Sequence, residues 1–162
     1  MNIINTSQVF VKKYLKNNLP GKFLYHNLKH TENVVKRVEE ISNSYEELTK
    51  DEKETLQVAA WFHDTGYCVD VNNHETESQN IAEDFLKQND YEPSKIKQVL
   101  ELIEATKVGV SPKTLPEKII KDADCGHFAT EDFEEVSELL RQELKLVKKQ
   151  NFNVNEWIDE NL

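Results

Sequence analysis

Apolar residues recur along this chain at spacings of three and four, the period of a helix with one buried face. A first helix is expected after an Asn5-Thr6 cap, carrying Val9, Phe10 and Leu15 or Tyr14 until Pro20-Gly21 ends it. A second covers about 27–45, with Val34, Val35, Val38 and Ile41 on one face. Thr49-Lys50-Asp51-Glu52 is a capping box and opens a third helix, whose inner face is Leu56, Ala59, Ala60 and His63 and which Gly66 is placed to end. A fourth runs from His74 or Glu75 to Lys87, and a fifth from Pro93-Ser94 with Ile96, Val99, Leu100, Leu102 and Ile103. Residues 108–113 read as a loop, and the capping box Thr114-Leu115-Pro116-Glu117 starts a helix through Ile119, Ile120 and Ala123. A long helix follows over about 131–149, with Val136, Leu139, Leu140, Leu144 and Val147. A further amphipathic turn begins at Val154 and stops at Leu162; either it docks on the bundle or the chain is cut short there. With no repeat and no linker, the pattern predicts one all-α domain over residues 1–162, a bundle of about six to eight helices.

Composition agrees with this reading and narrows the partners. Only 4 Gly and 4 Pro occur in 162 residues, too few turn formers for a sandwich or barrel. Asp and Glu total 30 against 20 Lys and Arg, and the resulting charge of −10 repels nucleic-acid phosphates, so no nucleic-acid partner is expected. The longest apolar runs, such as 58–62, fall well short of a bilayer span, so no membrane partner is expected either. The N-terminal residues carry no secretion signal, and Cys68 and Cys125 lack CxxC spacing. The expectation is a cytoplasmic protein with reduced thiols.

The histidines then stand out. His26 and His30 are four apart, on a helical face that continues as Val34, Val38 and Ile41. His63 continues an apolar stripe, with Asp64 directly after it, and Asp124 also abuts core-like residues. Imidazoles and carboxylates placed against a core cost free energy unless each finds a partner. Each could be hydrogen-bonded within the core; a single cation among them would satisfy all of them at once. Mixed imidazole and carboxylate ligands suit one octahedral Mn, Fe, Ni, Co or Mg ion better than a closed thiolate zinc site.

Three strings carry a resemblance: YHNLKHTENVV (25–35), LQVAAWFHDTGY (56–67) and IIKDADCGHF (119–128). With HETES (74–78), they make the chain similar to the HD-domain metal-dependent phosphohydrolase superfamily, in particular its small stand-alone members, over about 25–141. The resemblance implies a helical HD-type domain with His30, His63, Asp64 and Asp124 as metal ligands, Asp124 being preferred to Asp122 because it directly follows the Ala. His26 matches the histidine that protonates the leaving oxygen in related cyclic-nucleotide phosphodiesterases; the alternative is a residue that orients His30. His74 and Glu75 match a pair that lines the site, the alternative being surface residues at a helix start. Lys107 is either a phosphate contact or an exposed lysine at a helix end. His127 matches nothing functional and reads as structural. The second-metal histidines of dinuclear members have no counterpart in Glu104-Ala105-Thr106-Lys107, so one tightly held ion is expected, with a loose second ion through His74 left open.

This set implies hydrolysis of a phosphoester by metal-activated water. Asp64 anchors the ion, His26 acts as general acid, and Glu75 orients the water. His74 and Lys107 meet the substrate, a small phosphorylated molecule expected to be a nucleotide. The competing readings are a metal- and nucleotide-binding regulatory module without turnover and a purely structural metal bundle. Neither needs a proton donor beside the ligands.

Overall fold

The computed structural model describes residues 2–161, without the side chains at 128, 129, 160 and 161. Met1 and Leu162, the expected limits of the domain, therefore lie outside the described residues. Eight α-helices follow one another: α1 (Ile3–Asn18), α2 (Leu28–Asn43), α3 (Lys50–Phe62), α4 (His74–Gln88), α5 (Pro93–Thr106), α6 (Leu115–Asp124), α7 (Phe133–Val147) and α8 (Val154–Asn161). Two 3₁₀ turns, Thr65–Cys68 and Cys125–Ala129, follow α3 and α6. No strand occurs among the described residues, so the all-α expectation holds. None of the described helices is long and apolar enough to cross a membrane.

Both capping boxes form as expected. Thr49 and Glu52 exchange side-chain and backbone bonds at the start of α3, and Thr114 and Glu117 do so at α6. The start of α1 differs. Asn2, not the Asn5-Thr6 pair, is its cap: the Asn2 side chain accepts from the Asn5 N–H at 3.1 Å, and the Thr6 hydroxyl donates back to the Asn2 carbonyl at 3.0 Å. Along this helix Val11 and Leu15 are buried and Val9, expected on the inner face, is exposed.

Helix α3 is the axis of the bundle, packed by α1, α2 and α5. Its burial is wider than the single stripe expected, since Val58, Trp61 and Phe62 are as enclosed as Leu56, Ala59 and Ala60. The C-terminal half of the helix, apolar on every side, lies in the middle of the core, while its charged first turns, 50–54, reach the surface. It ends at Phe62 rather than near Gly66, because the chain tightens at once into the 3₁₀ turn. That turn lies so close to α4 that a Cβ on Gly66 would sit 1.9 Å from the His74 carbonyl oxygen. The Gly66 N–H donates to Ser78 Oγ at 2.8 Å, and the Ser78 hydroxyl donates to the His63 carbonyl at 2.7 Å, fastening the turn to α4.

Lys121 fixes the loop after α5. Its ammonium donates to the carbonyls of Ala105, Lys107 and Val110 at 3.1, 2.9 and 2.6 Å, neutralising the C-terminal end of α5. At the other end of the chain, the pattern starting at Val154 does dock. Trp157 of α8 is buried, and its indole N–H donates to Ser137 Oγ of α7 at 2.8 Å.

Candidate metal centre

The core places four ionisable side chains, from α2, the two residues after α3, and α6, at one point. His30 Nε2 lies 3.0 Å from Asp124 Oδ1 and 3.4 Å from Asp64 Oδ2. His63 Nε2 lies 3.2 Å from Asp64 Oδ2, 3.5 Å from Asp124 Oδ1 and 3.4 Å from His30 Nε2. The ligand atoms of His30, His63 and Asp124 all fall within 4.8 Å of one another, a spread that could hold one ion. Asp122, by contrast, is exposed.

Two observations fit this cluster to a cation. His63 is fully buried, and its Nδ1–H donates to the Ala60 carbonyl at 2.8 Å, which leaves Nε2 to face the carboxylates. A backbone bond of this kind fixes the tautomer that a metal-binding imidazole needs. Asp64 Oδ2 is buried among the imidazoles without a well-directed hydrogen bond, and an unsatisfied buried carboxylate oxygen is costly.

The electrostatics point the same way. Burial works against charge on His63, Asp64 and Asp124, but mutual attraction outweighs it. The neighbouring Asp64 and Asp124 hold His63 well above its ordinary value. His63, and then the charges on His26 and His30, hold the Asp64 carboxyl below its ordinary range. Bonds from His30 and His63 hold Asp124 well below it. A cation held by His63 competes with the proton there, while the two carboxylates are already ionised at neutral pH. Affinity for a divalent cation is therefore expected to rise with pH, by up to about tenfold per unit, at pH values below the raised pKa of His63. Competition against a chromophoric chelator at pH 6, 7 and 8 measures this, and a flat profile would exclude His63 as a ligand.

The remaining candidates surround the cluster. His74, at the start of α4, stacks on Tyr67 with ring centroids 3.9 Å apart. Its Nε2 lies 3.9 Å from Asp64 Oδ1 and 3.3 Å from Glu75 Oε1, and Glu75 is buried. Burial lowers the pKa of His74 despite the pull of Asp64 and Glu75. Lys107 is half-exposed at the rim of a cavity of about 570 Å³ that His26, His74, Glu75 and Asp124 also line. His127 is buried beside it; the Tyr25 hydroxyl, kept protonated by burial, donates to His127 Nδ1 at 2.8 Å. Burial lowers the pKa of His127 to about 4, so this imidazole stays neutral.

Glu143 is the residue that sequence reasoning missed. It is buried on α7, and its Oε2 accepts the backbone N–H groups of Tyr25 and His26 at 2.7 and 2.9 Å. Its Oε1 accepts from His26 Nδ1 in a short hydrogen bond. Burial disfavours the charged imidazole of His26, but the bond to Glu143 and the charge on Asp64 more than offset that and raise its pKa. The available signal was periodicity: 143 lies four after Leu139 and four before Val147, so this carboxylate occupies the helix's own apolar stripe.

The HD domain family model matches residues 27–129, which contain His30, His63, Asp64, His74, Glu75, Lys107 and Asp124. The chain belongs to the HD domain family. This family has a helical fold and consists mostly of metal-dependent phosphohydrolases. No match was found among curated proteins or among solved structures. In this HD domain the His-Asp pair at 63–64 lies at the junction of the central helix and the 3₁₀ turn, where the backbone leaves helical geometry and turns both side chains toward α2 and α6. Glu143 and all of α7 and α8 lie beyond the matched region.

Proposed function

We propose that this HD-domain protein hydrolyses a phosphoester, that of a nucleotide, with one Mn, Fe, Ni, Co or Mg ion held by His30, His63, Asp64 and Asp124. The observation that carries the reading is the convergence of two imidazoles and two carboxylates beside a large cavity, with Asp64 Oδ2 lacking a hydrogen bond. Such an ion, when bound, supplies an activated water and a positive charge that offsets charge building on the phosphoryl oxygens. The chain's own groups do the rest. Ala60 holds the His63 ring in the ligating tautomer. Glu143 engages Nδ1 of His26, which leaves Nε2 to hold the proton delivered to the departing oxygen. Glu75 orients the attacking water, and His74 and Lys107 bind the phosphoryl group from the cavity side.

The test is turnover of nucleotides, cyclic nucleotides and dinucleoside polyphosphates by protein reconstituted with each ion. Hydrolysis is expected, and chelation should abolish it. Tight nucleotide binding without turnover on any ester would instead make the protein a regulatory module. His26→Ala is expected to retain the ion but lose roughly 10²–10⁴ in kcat, the usual range for a general acid. The loss should shrink on p-nitrophenyl esters, whose leaving group departs with little help from a proton. Loss of metal affinity with turnover otherwise intact would assign His26 to orienting His30 instead.

A further inference from the structure

The cavity beside the candidate centre has two walls of different origin. His26, His74 and Lys107 form the side next to the cluster, within or directly beside the matched HD region. The opposite side is Leu140, Leu144 and Phe152, all from α7 and the chain after it. A volume of about 570 Å³ is in the range of sites for small organic ligands and exceeds what a phosphoryl group needs.

The far wall is firmly attached. Glu143 pins α7 to the backbone of Tyr25 and His26, and residues 140, 143 and 144 share one helical face. The bond that positions His26 therefore also turns Leu140 and Leu144 toward the cavity. The segment after α7 is tied back in turn. The Arg141 guanidinium donates to the Phe152 carbonyl at 2.7 Å, the Gln150 N–H donates to the Leu144 carbonyl at 3.2 Å, and Trp157 is bonded to Ser137. Phe152 lies against Trp157 with centroids 5.7 Å apart, and the amides of Asn72 and Gln150 border the same space. Aromatic and branched apolar surface edged by amides suits a flat ring carrying its own donors and acceptors.

We propose that α7 and residues 148–157 form most of a subsite for a planar ring of nucleobase size in the organic part of the substrate, and that this segment, more than the HD region, sets substrate preference. The proposal rests on the phosphoester reading for the group at the other end of the cavity. Its test compares the four nucleoside 5′-monophosphates with ribose 5-phosphate, which has the same leaving alkoxide and no base. With the metal-loaded full chain, kcat/KM for the best nucleotide should exceed that for ribose 5-phosphate by roughly 5- to 150-fold, the range of one base–aromatic stack. Phe152→Ala and Leu144→Ala should bring that ratio toward one. Should Leu144→Ala melt early, Phe152→Ala decides, because Phe152 lies outside any helix. A ratio near one in the wild type, or a ratio both variants leave unchanged, overturns the proposal. If no ester is turned over, the phosphoester reading fails and calorimetry with the same compounds judges the subsite by itself. Nucleotide binding tighter than that of ribose 5-phosphate and weakened by Phe152→Ala upholds it; equal binding refutes it.

Discussion

Replacing Asp64 by asparagine is expected to abolish binding of the proposed divalent ion and to reduce the proposed phosphoester hydrolysis by roughly 10³-fold or more. The substitution preserves the volume of a buried side chain and removes its charge, so it isolates electrostatics from packing. Asp64 lies within 3.4 Å of both His30 Nε2 and His63 Nε2, with Oδ2 otherwise unsatisfied. An amide there supplies a weaker oxygen ligand and a donor group that faces two imidazoles. Asp122→Asn, on the exposed face of α6, is the matched control and should change neither property. Elemental analysis after reconstitution, paired with turnover on the best ester, checks both. An Asp64→Asn protein with a full complement of metal would remove Asp64 from the ligand set.

Gly66→Ala is expected to be the most damaging of the glycine-to-alanine changes. The added Cβ would lie 1.9 Å from the His74 carbonyl oxygen and 2.7 Å from both the His74 carbonyl carbon and the Ser78 nitrogen. All three are backbone atoms, so no side-chain rotation relieves the overlap. Either the 3₁₀ turn unwinds or the first turn of α4 moves away. The former carries the chain out of Asp64, and the latter carries His74 and Glu75. Overpacking costs about 1–3 kcal/mol where side chains can adjust and more where backbone must move. A loss of about 3 kcal/mol lowers Tm by roughly 6–12 °C in a chain of this size. Calorimetry of the metal-free protein measures it directly, and a melting point within about 2 °C of wild type would show that turn and helix can separate freely.

What could be read from the sequence was mostly local. The capping boxes at Thr49 and Thr114 depend on residues three apart and appear as expected. The start of α1 differs from expectation because Asn2 and Asn5-Thr6 are both acceptable caps, and residue type alone does not choose between them. The site was legible only as an ordered set of histidines and aspartates. That His30, His63 and Asp124 share a point follows from how α2 and α6 flank α3, which no local pattern encodes. Glu143 shows the limit most clearly. In a helix rich in glutamates, its place on the apolar stripe marks it as buried but not what it holds. Its role comes from two amides 118 and 117 residues away, freed where the chain turns into α2.

The three bonds from Lys121 also divide the neighbouring loop by how much sequence variation it can absorb. Lys107 and Val110 are held through their carbonyls, so their backbone positions are fixed whatever lies between them. Val108, in contrast, is 95% exposed, and a Cβ on Gly109 would meet nothing within 4 Å. Gly109 is nonetheless held to glycine by its φ of +86°, at which a side chain would be strained however open the space. Position 108 can therefore change its side chain, or carry a label at the mouth of the cavity it borders, while residue 109 stays glycine and Lys107 stays at the rim.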